Sequence, residues 1–406
     1  MGGLSRRALV VGGAATVGVG AVGWWATTRG PGGPMHGYGD CGPRLTPEHV
    51  KAGIDLCATY LVAAQRPEGD FVYEVDWRTG KETVDSASTV RQAGTSWGLA
   101  EHAGRTGDEI ARRATDRALG YWLGATQDVA DGIVYRPPRT RRGALGTVVL
   151  VAMALAERAK HPEGLVPAQA ERIRTVLEGN LAFIRACRLP DGGFVEGHDP
   201  TTGERKGGPS PYADGEALLL WSTLAVRDGR TDLLQEALDW AEQDYELNVA
   251  RALRADPDSA TTKGYYQWGS MSWARLVEGG HDPDRWGPRL TDLAVWMIDV
   301  HETLGRRRNT AYAYEGMLSA YAEAKRVGDD RLARRIACVA HQGLRKLCSW
   351  QLGHPLAEGD LASPHAKYRG GVQNHAVEST LRIDVTQHQL HAMTLAEQTG
   401  VADHPL

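Results

Sequence analysis

Five short stretches of the 406-residue chain set carboxylates, arginines and aromatic rings side by side: Arg91-Gln92, Tyr212-Ala213-Asp214-Gly215-Glu216, Tyr265-Tyr266-Gln267-Trp268, Tyr312-Ala313-Tyr314-Glu315 and Arg382-Ile383-Asp384-Val385-Thr386-Gln387-His388. Each opens a segment that continues with an apolar helical pattern. The acids are the groups able to move protons. Glu216 is followed at once by Ala-Leu-Leu-Leu-Trp, and Glu315 interrupts a stretch otherwise poor in charge. A carboxylate in such surroundings is expected to hold its proton above the ordinary range, as a general acid must. Asp214 lies in a first helical turn, where an acid also complements the helix dipole. Asp384 fits an N-cap as well as a site carboxylate oriented by Arg382. His388 and His391 stand one turn apart but lack the Glu-x-x-His or His-x-x-x-His partners of a metal site, so they read as polar lining. No metal and no cofactor is expected. Glu74 remains a site candidate on a loop, whereas Asp76 recurs in register as Asp199 and reads as a turn residue.

These clusters need a scaffold that brings distant segments together. Apolar residues recur at three- and four-residue spacing in twelve segments, with boundaries near 46–66, 87–105, 108–128, 143–160, 168–188, 213–228, 231–253, 265–279, 285–305, 310–327, 329–351 and 385–399. Extended pieces are short and confined to loops. Those loops repeat: Phe71-Val-Tyr-Glu-Val-Asp76 through Gly80 matches Phe194-Val-Glu-Gly-His-Asp199 through Gly203, and Ile133-Val-Tyr135 echoes them between. Phe71, Ile133 and Phe194 are 62 and 61 residues apart, the length of two helices and a loop. A single helical hairpin cannot bury its apolar stripe, but six closed into a ring can. The expected fold is therefore all-α, an (α/α)6 toroid of six helical hairpins. Its inner ring comes from the even-numbered segments, which are rich in small residues. A solenoid of helical pairs is the competing arrangement.

The Asp191-Gly-Gly-Phe194 loop, the twelve-helix count and the Arg91-Gln-Ala-Gly-Thr-Ser-Trp-Gly-Leu99 segment together resemble the six-hairpin glycosidase superfamily. The likeness is architectural, covers about residues 46–400, and brings no single family's catalytic signature. It implies a funnel at one end of the inner helices and a poly- or oligosaccharide as ligand. In that setting Glu216 and Glu315 are the expected acid/base pair for glycosidic hydrolysis, with Asp384 and Asp214 in reserve. Arg91, Gln92, Glu74, Tyr265, Tyr266, Trp268, Tyr312, Tyr314, Arg382 and His388 are the expected substrate-binding residues. A lyase or epimerase with a tyrosine base is the chemical variant. The rival class is a non-catalytic glycan-binding or envelope-assembly protein.

Composition supports a globular body and excludes other partners. The 46 basic and 50 acidic residues leave a net charge of −4, without the basic excess that nucleic-acid binding requires. Twelve Trp and 13 Tyr against 3 Phe favour rings that combine an apolar face with a polar handle. Five cysteines without a C-x-x-C pair make no zinc framework. Ser5-Arg6-Arg7 precedes an uncharged, Gly- and Ala-rich run, so residues 1–28 resemble a twin-arginine export signal or a signal anchor. Residues 29–45 then form a linker and 46–406 one toroid domain. The body is expected outside the cytoplasm, delivered by the twin-arginine machinery, and touching membrane only through an uncleaved anchor.

Overall fold

The computed structural model describes residues 41–83, 89–138 and 140–405. The signal segment and most of the linker lie outside the described residues. Twelve principal helices follow: α1 Pro47–Ala63, α2 Thr89–Thr106, α3 Glu109–Gly124, α4 Leu145–Lys160, α5 Pro167–Ala186, α6 Pro211–Arg227, α7 Leu234–Tyr245, α8 Ala260–Glu278, α9 Pro283–Asp299, α10 Ala311–Val327, α11 Asp330–Ser349 and α12 Ile383–Thr399. The chain continues α7 through a wider π-helical turn, Glu246–Arg251, and a last turn, Ala252–Ala255.

Local chemistry sets the ends. Thr46 and His49 satisfy one another's backbone N–H groups at the start of α1, with Pro47 in the first position. Ser210 caps α6, Ser259 caps α8 and Asp329 caps α11. Gly328 (φ 77°) and Gly400 (φ 65°) end α10 and α12 in the left-handed conformation that a side chain would disfavour. The Ser259 cap starts α8 five residues before the sequence pattern does, because Ala260-Thr-Thr-Lys-Gly carries no apolar stripe of its own.

The even helices pack in the order α2–α4–α6–α8–α10–α12 and back to α2, forming a closed inner ring. The odd helices pack outside them, α1 against α12 and each of α3, α5 and α7 against its predecessor. The expected toroid, not a solenoid, is therefore the fold. Inner helices bury almost their whole circumference; α4 is buried at every position from Leu145 to Ala156. Ring closure is reinforced at the seam. Strand β1 (Glu74–Asp76) lies between β2 (Glu82–Thr83) and β8 (Thr380–Arg382), with Glu74 opposite Arg382. Cys41 and Cys338 form a disulfide, and the Leu45 N–H donates to His341 Nδ1 at 3.0 Å. Of the remaining strands, β3 (Thr126–Val129) and β4 (Gly132–Tyr135) form one hairpin and β6 (Val195–His198) and β7 (Arg205–Pro209) another, while β5 (Gly143–Ala144), just before α4, pairs with β6.

The repeated loops have a repeated fastening. Phe71 bridges to Gln65, Phe194 to Arg188 and Val372 to Gln351, each at the end of an outer helix. The fourth residue of the next inner helix then holds the loop. The Phe71 N–H donates to Gln92 Oε1 at 2.8 Å, the Phe194 N–H to Asp214 Oδ1 at 2.6 Å, and the Val372 N–H to Thr386 Oγ1 at 3.2 Å.

Candidate active site

The inner helices begin at one end of the toroid, and polar side chains gather there in three tiers. The rim has two clusters. On the seam side, Asp384 of α12 accepts from Arg91 Nε at 3.1 Å and Arg382 Nε at 3.0 Å. Both guanidinium groups also lie over the Tyr73 ring, at 5.4 and 5.5 Å. Glu74 joins this edge from β1 and accepts from Thr83 Oγ1 at 3.4 Å. Across the rim, Lys263 of α8 donates to Tyr212 Oη at 3.3 Å and lies 4.8 Å from the Tyr312 ring. Burial pushes the Tyr312 phenol up to about 12.

The second tier holds loop anchors. Gln92 also donates its Nε2 to the Phe71 carbonyl at 2.9 Å. Asp214 accepts a second bond from Asn248 Nδ2 at 2.8 Å. Burial raises its carboxyl to about 6 against the lowering effect of these two bonds. Both residues were expected at the ligand; their polar atoms are instead committed to the scaffold.

The third tier lies on the axis. Trp97 and Trp268 occupy the ninth positions of α2 and α8, which stand opposite each other in the ring, and their centroids are 6.0 Å apart. Both are buried, and together they close the space between these two inner helices as an aromatic floor beneath the helix starts. His388 packs beside Trp268 at 5.9 Å, and His391 meets Trp97 edge to face at 5.1 Å. Glu315, fully buried, takes both imidazoles on one oxygen: Oε1 is 3.0 Å from His388 Nδ1 and 3.3 Å from His391 Nδ1. This corrects the expectation for Glu315. Burial alone would raise its carboxyl, but the charge and hydrogen bonds of the two histidines hold it below the ordinary value. It is an anion that orients imidazoles and not a proton donor. Its partners are histidines, while Arg91 and Arg382 pair with Asp384.

For Glu216 the burial that its apolar run predicts is present. It occupies the sixth position of α6, opposite the sixth position of α12 where His388 sits. It is 4% exposed, and burial raises its carboxyl to about 8. No ion pair among the described residues offsets this. Gly146, in the first turn of α4, makes room for it: a Cβ there would stand 2.3 Å from Glu216 Oε2. Glu216 is therefore protonated near neutrality, while His388 keeps Nε2 free because Nδ1 is engaged by Glu315.

Three further expectations are corrected. Tyr265, Tyr266 and Tyr314 lie between the rings, not in the funnel. Tyr265 packs on Trp273, itself 5.8 Å from Tyr245 of α7. Tyr266 donates to the Ala313 carbonyl at 3.2 Å and faces Trp296 of α9, and Tyr314 presses against Gly343 of α11. Burial raises the phenols of Tyr265 and Tyr266 well above their ordinary value, the reverse of what a tyrosine base needs. Conversely, the sequence reading passed over Trp97, Tyr73, Lys263 and Gly146. Trp97 carried a usable signal, since it falls at the same helical position as Trp268 once α8 is started at its Ser259 cap.

Sequence comparison matches the chain to no family model and to no curated protein. Structural comparison finds the same fold in several solved proteins. A GH76 α-mannanase from Bacteroides thetaiotaomicron aligns over 87% of this chain and 97% of its own, with 9% identity and a TM-score of 0.57. The cellobiose 2-epimerase of Spirochaeta thermophila aligns over 88% and 96%, with 15% identity and a TM-score of 0.58. The GH76 α-1,6-mannanase of Salegentibacter, also seen in complex with α-1,6-mannotriose as an inactive variant, aligns over 86% and 99% at 10% identity, with a TM-score of 0.57. The chain thus has the six-hairpin toroid fold found in these enzymes.

Proposed function

We propose that the protein is a carbohydrate-active enzyme that moves protons on a sugar held in the funnel, with His388 as base and Glu216 as acid. One arrangement carries this reading: an imidazole oriented by a buried carboxylate and a carboxyl whose proton burial retains occupy the same level of opposite inner helices, one turn before a tryptophan pair. His388 Nε2 takes the proton from the carbon next to the aldehyde of an open-chain reducing sugar. The electron pair moves into the carbonyl oxygen as an enediolate, and Glu216 returns a proton to that carbon from the other face. The outcome is epimerisation of a reducing oligosaccharide. Trp97 and Trp268 stack on the sugar, and the Arg91–Arg382–Tyr73 and Lys263–Tyr312 clusters hold its outer units.

The second reading is glycosidic hydrolysis, favoured by the protonated state of Glu216 and by the mannanase likeness in fold. It needs an ionised carboxylate facing the sugar. Glu315 is enclosed by histidines, and Asp384 is held by two arginines, which makes this reading the weaker one. Incubating the protein with reducing disaccharides in D2O separates them. Epimerisation gives a new isomer carrying deuterium next to the carbonyl; hydrolysis gives monosaccharides without it. A non-catalytic glycan-binding protein gives neither.

We propose further, from the twin-arginine-like segment at Ser5-Arg6-Arg7, that the protein works outside the cytoplasm. The Cys41–Cys338 disulfide supports this, because such bonds persist in oxidising compartments. Arg6→Lys with Arg7→Lys should strand the protein in the cytoplasm; undiminished export of that variant excludes the twin-arginine route.

A further inference from the structure

The two rim clusters differ in charge balance. On the seam side, Arg91 and Arg382 share Asp384, and Glu74 stands opposite Arg382 in the β1–β8 pair, so two guanidinium groups meet two carboxylates. Across the mouth, Lys263 has no ion pair among the described residues. Its Nζ is held instead by phenols from the two inner helices that flank α8: it donates to Tyr212 Oη at 3.3 Å and lies 4.8 Å from the Tyr312 centroid. Those tyrosines occupy the second positions of α6 and α10. Gly264 lets the Tyr212 ring lie close, since a Cβ there would stand 3.0 Å from it. The neighbouring carboxylate, Asp258, is engaged elsewhere, with Oδ1 2.7 Å from His301 Nδ1 and Oδ2 3.8 Å from Arg306. The loop 300–310 adds Arg306, Arg307 and Arg308 against one acid, Glu302, and all four are exposed.

The architecture does not require this lysine. The fourth position of α2, α6 and α12 holds a loop through Gln92, Asp214 and Thr386. In α8 the third residue takes over the tie to the preceding segment, Thr262 Oγ1 donating to the Asn248 carbonyl at 2.8 Å, and Lys263 in fourth place is released to the rim. A cation in a first helical turn meets the positive end of the helix dipole, and α8 has no acid in that turn to offset it. Its charge is thus neither used nor stabilised by the scaffold.

We propose that Lys263, Tyr212 and Tyr312 form a subsite for an oxyanion, a carboxylate or phosphate on the sugar unit next above the one stacked on the floor. The proposal rests on the reading of the funnel as a sugar site, and it makes the substrate an acidic oligosaccharide. After its bond to Tyr212, Lys263 keeps two N–H groups, and neither phenol O–H has an acceptor among the described residues. Such a set of donors around an unpaired cation is complementary to an anion. Lys263 precedes Trp268 by five residues, about 7.5 Å of helix rise, which sets the anion one unit out from the floor.

The test is calorimetric binding to the full chain of a neutral reducing disaccharide and of two analogues whose outer unit carries a 6-carboxylate or a 6-phosphate. In the wild type an anionic analogue should bind about tenfold more tightly than the neutral sugar, the worth of one charge-assisted bond. The analogue preferred identifies the anion. Lys263→Met keeps the stem and removes the charge; it should erase the preference and leave the neutral affinity in place. Should it lose the neutral sugar as well, Lys263→Arg decides, since it must bind the anionic analogue as the wild type does. Equal binding of all three sugars, a preference that survives Lys263→Met, or no binding of any sugar overturns the subsite. Turnover is read separately. A Lys263-dependent preference without epimerisation or hydrolysis sinks the acid–base assignment and leaves the subsite standing. Epimerisation of the neutral sugar with no anionic preference does the reverse.

Discussion

Asp214 and Glu216 are two residues apart on one helix, both acidic and both buried, yet they belong to different regions of the molecule. Asp214 sits in the tier of loop anchors, where its oxygens accept from the Phe194 N–H and Asn248. Glu216 sits in the axial tier, where its carboxyl is raised to about 8 by burial with no counter-charge paired to it among the described residues. The anchors Gln92, Asp214 and Thr386 each satisfy a backbone group, so their polarity is used up by the architecture. The axial groups satisfy one another or none. A polar side chain that the scaffold leaves incompletely partnered, in a place a ligand can reach, is where chemistry is to be sought.

The largest expected effect lies in the axial tier. His388→Asn and Glu216→Gln should each cost about a hundredfold or more in turnover, the usual range for an acid or base, while melting temperature stays near that of the wild type. Loss of both together should be far from additive if they act on one reaction. If either variant keeps full turnover on a sugar the wild type converts, that residue belongs with the anchors.

Gly146→Ala probes the same tier without removing an ionisable group. The added methyl would collide with the Glu216 carboxyl. Turnover should fall by about tenfold, the cost of a displaced reacting group, with KM little changed. An unaffected rate would show that Glu216 need not occupy its observed place.

The anchors should respond in the opposite sense. Asp214→Ala strands the Phe194 N–H and the Asn248 amide, each worth about 1–3 kcal/mol when buried without a partner. Denaturant unfolding should register that loss, and the folded fraction should keep its turnover per molecule. A collapse of turnover with unchanged stability would move Asp214 into the active tier.

The last effect is the pH dependence of stability. Glu216 has its folded pKa near 8 against 4.5 ordinarily. Between those values the folded state keeps a proton that the unfolded state has lost, so its contribution falls as pH rises across that window and is constant outside it, by about 1.4 kcal/mol per unit at most. Glu216→Gln should flatten the stability curve from pH 4.5 to 8. Parallel curves for the two proteins would mean that Glu216 is ionised in the fold.

Much of this division was legible in the sequence. The loop repeat at Phe71, Ile133 and Phe194 foretold the ring, because a fixed period reports one hairpin unit wherever it recurs. Glu216 was legible because an apolar run follows it directly. Glu315 was misjudged because its partners, His388 and His391, lie more than 70 residues away, and a pKa depends on neighbours in space. Tyr265, Tyr266 and Tyr314 were misplaced for a related reason. An inner helix buries both faces, so local pattern does not say which face looks toward the axis. Gln92 and Asp214 read as site residues because anchors and reactive groups share one chemistry and differ only in what they touch.

The most direct measurement is a crystal structure of the His388→Asn variant with a reducing disaccharide bound. The reducing-end carbons should lie between residue 388 and Glu216, within about 4 Å of each, with the sugar stacked over Trp97 and Trp268. A sugar seated outside the funnel, or one that leaves Glu216 facing only protein, would contradict the proposed pairing of acid and base across the axis.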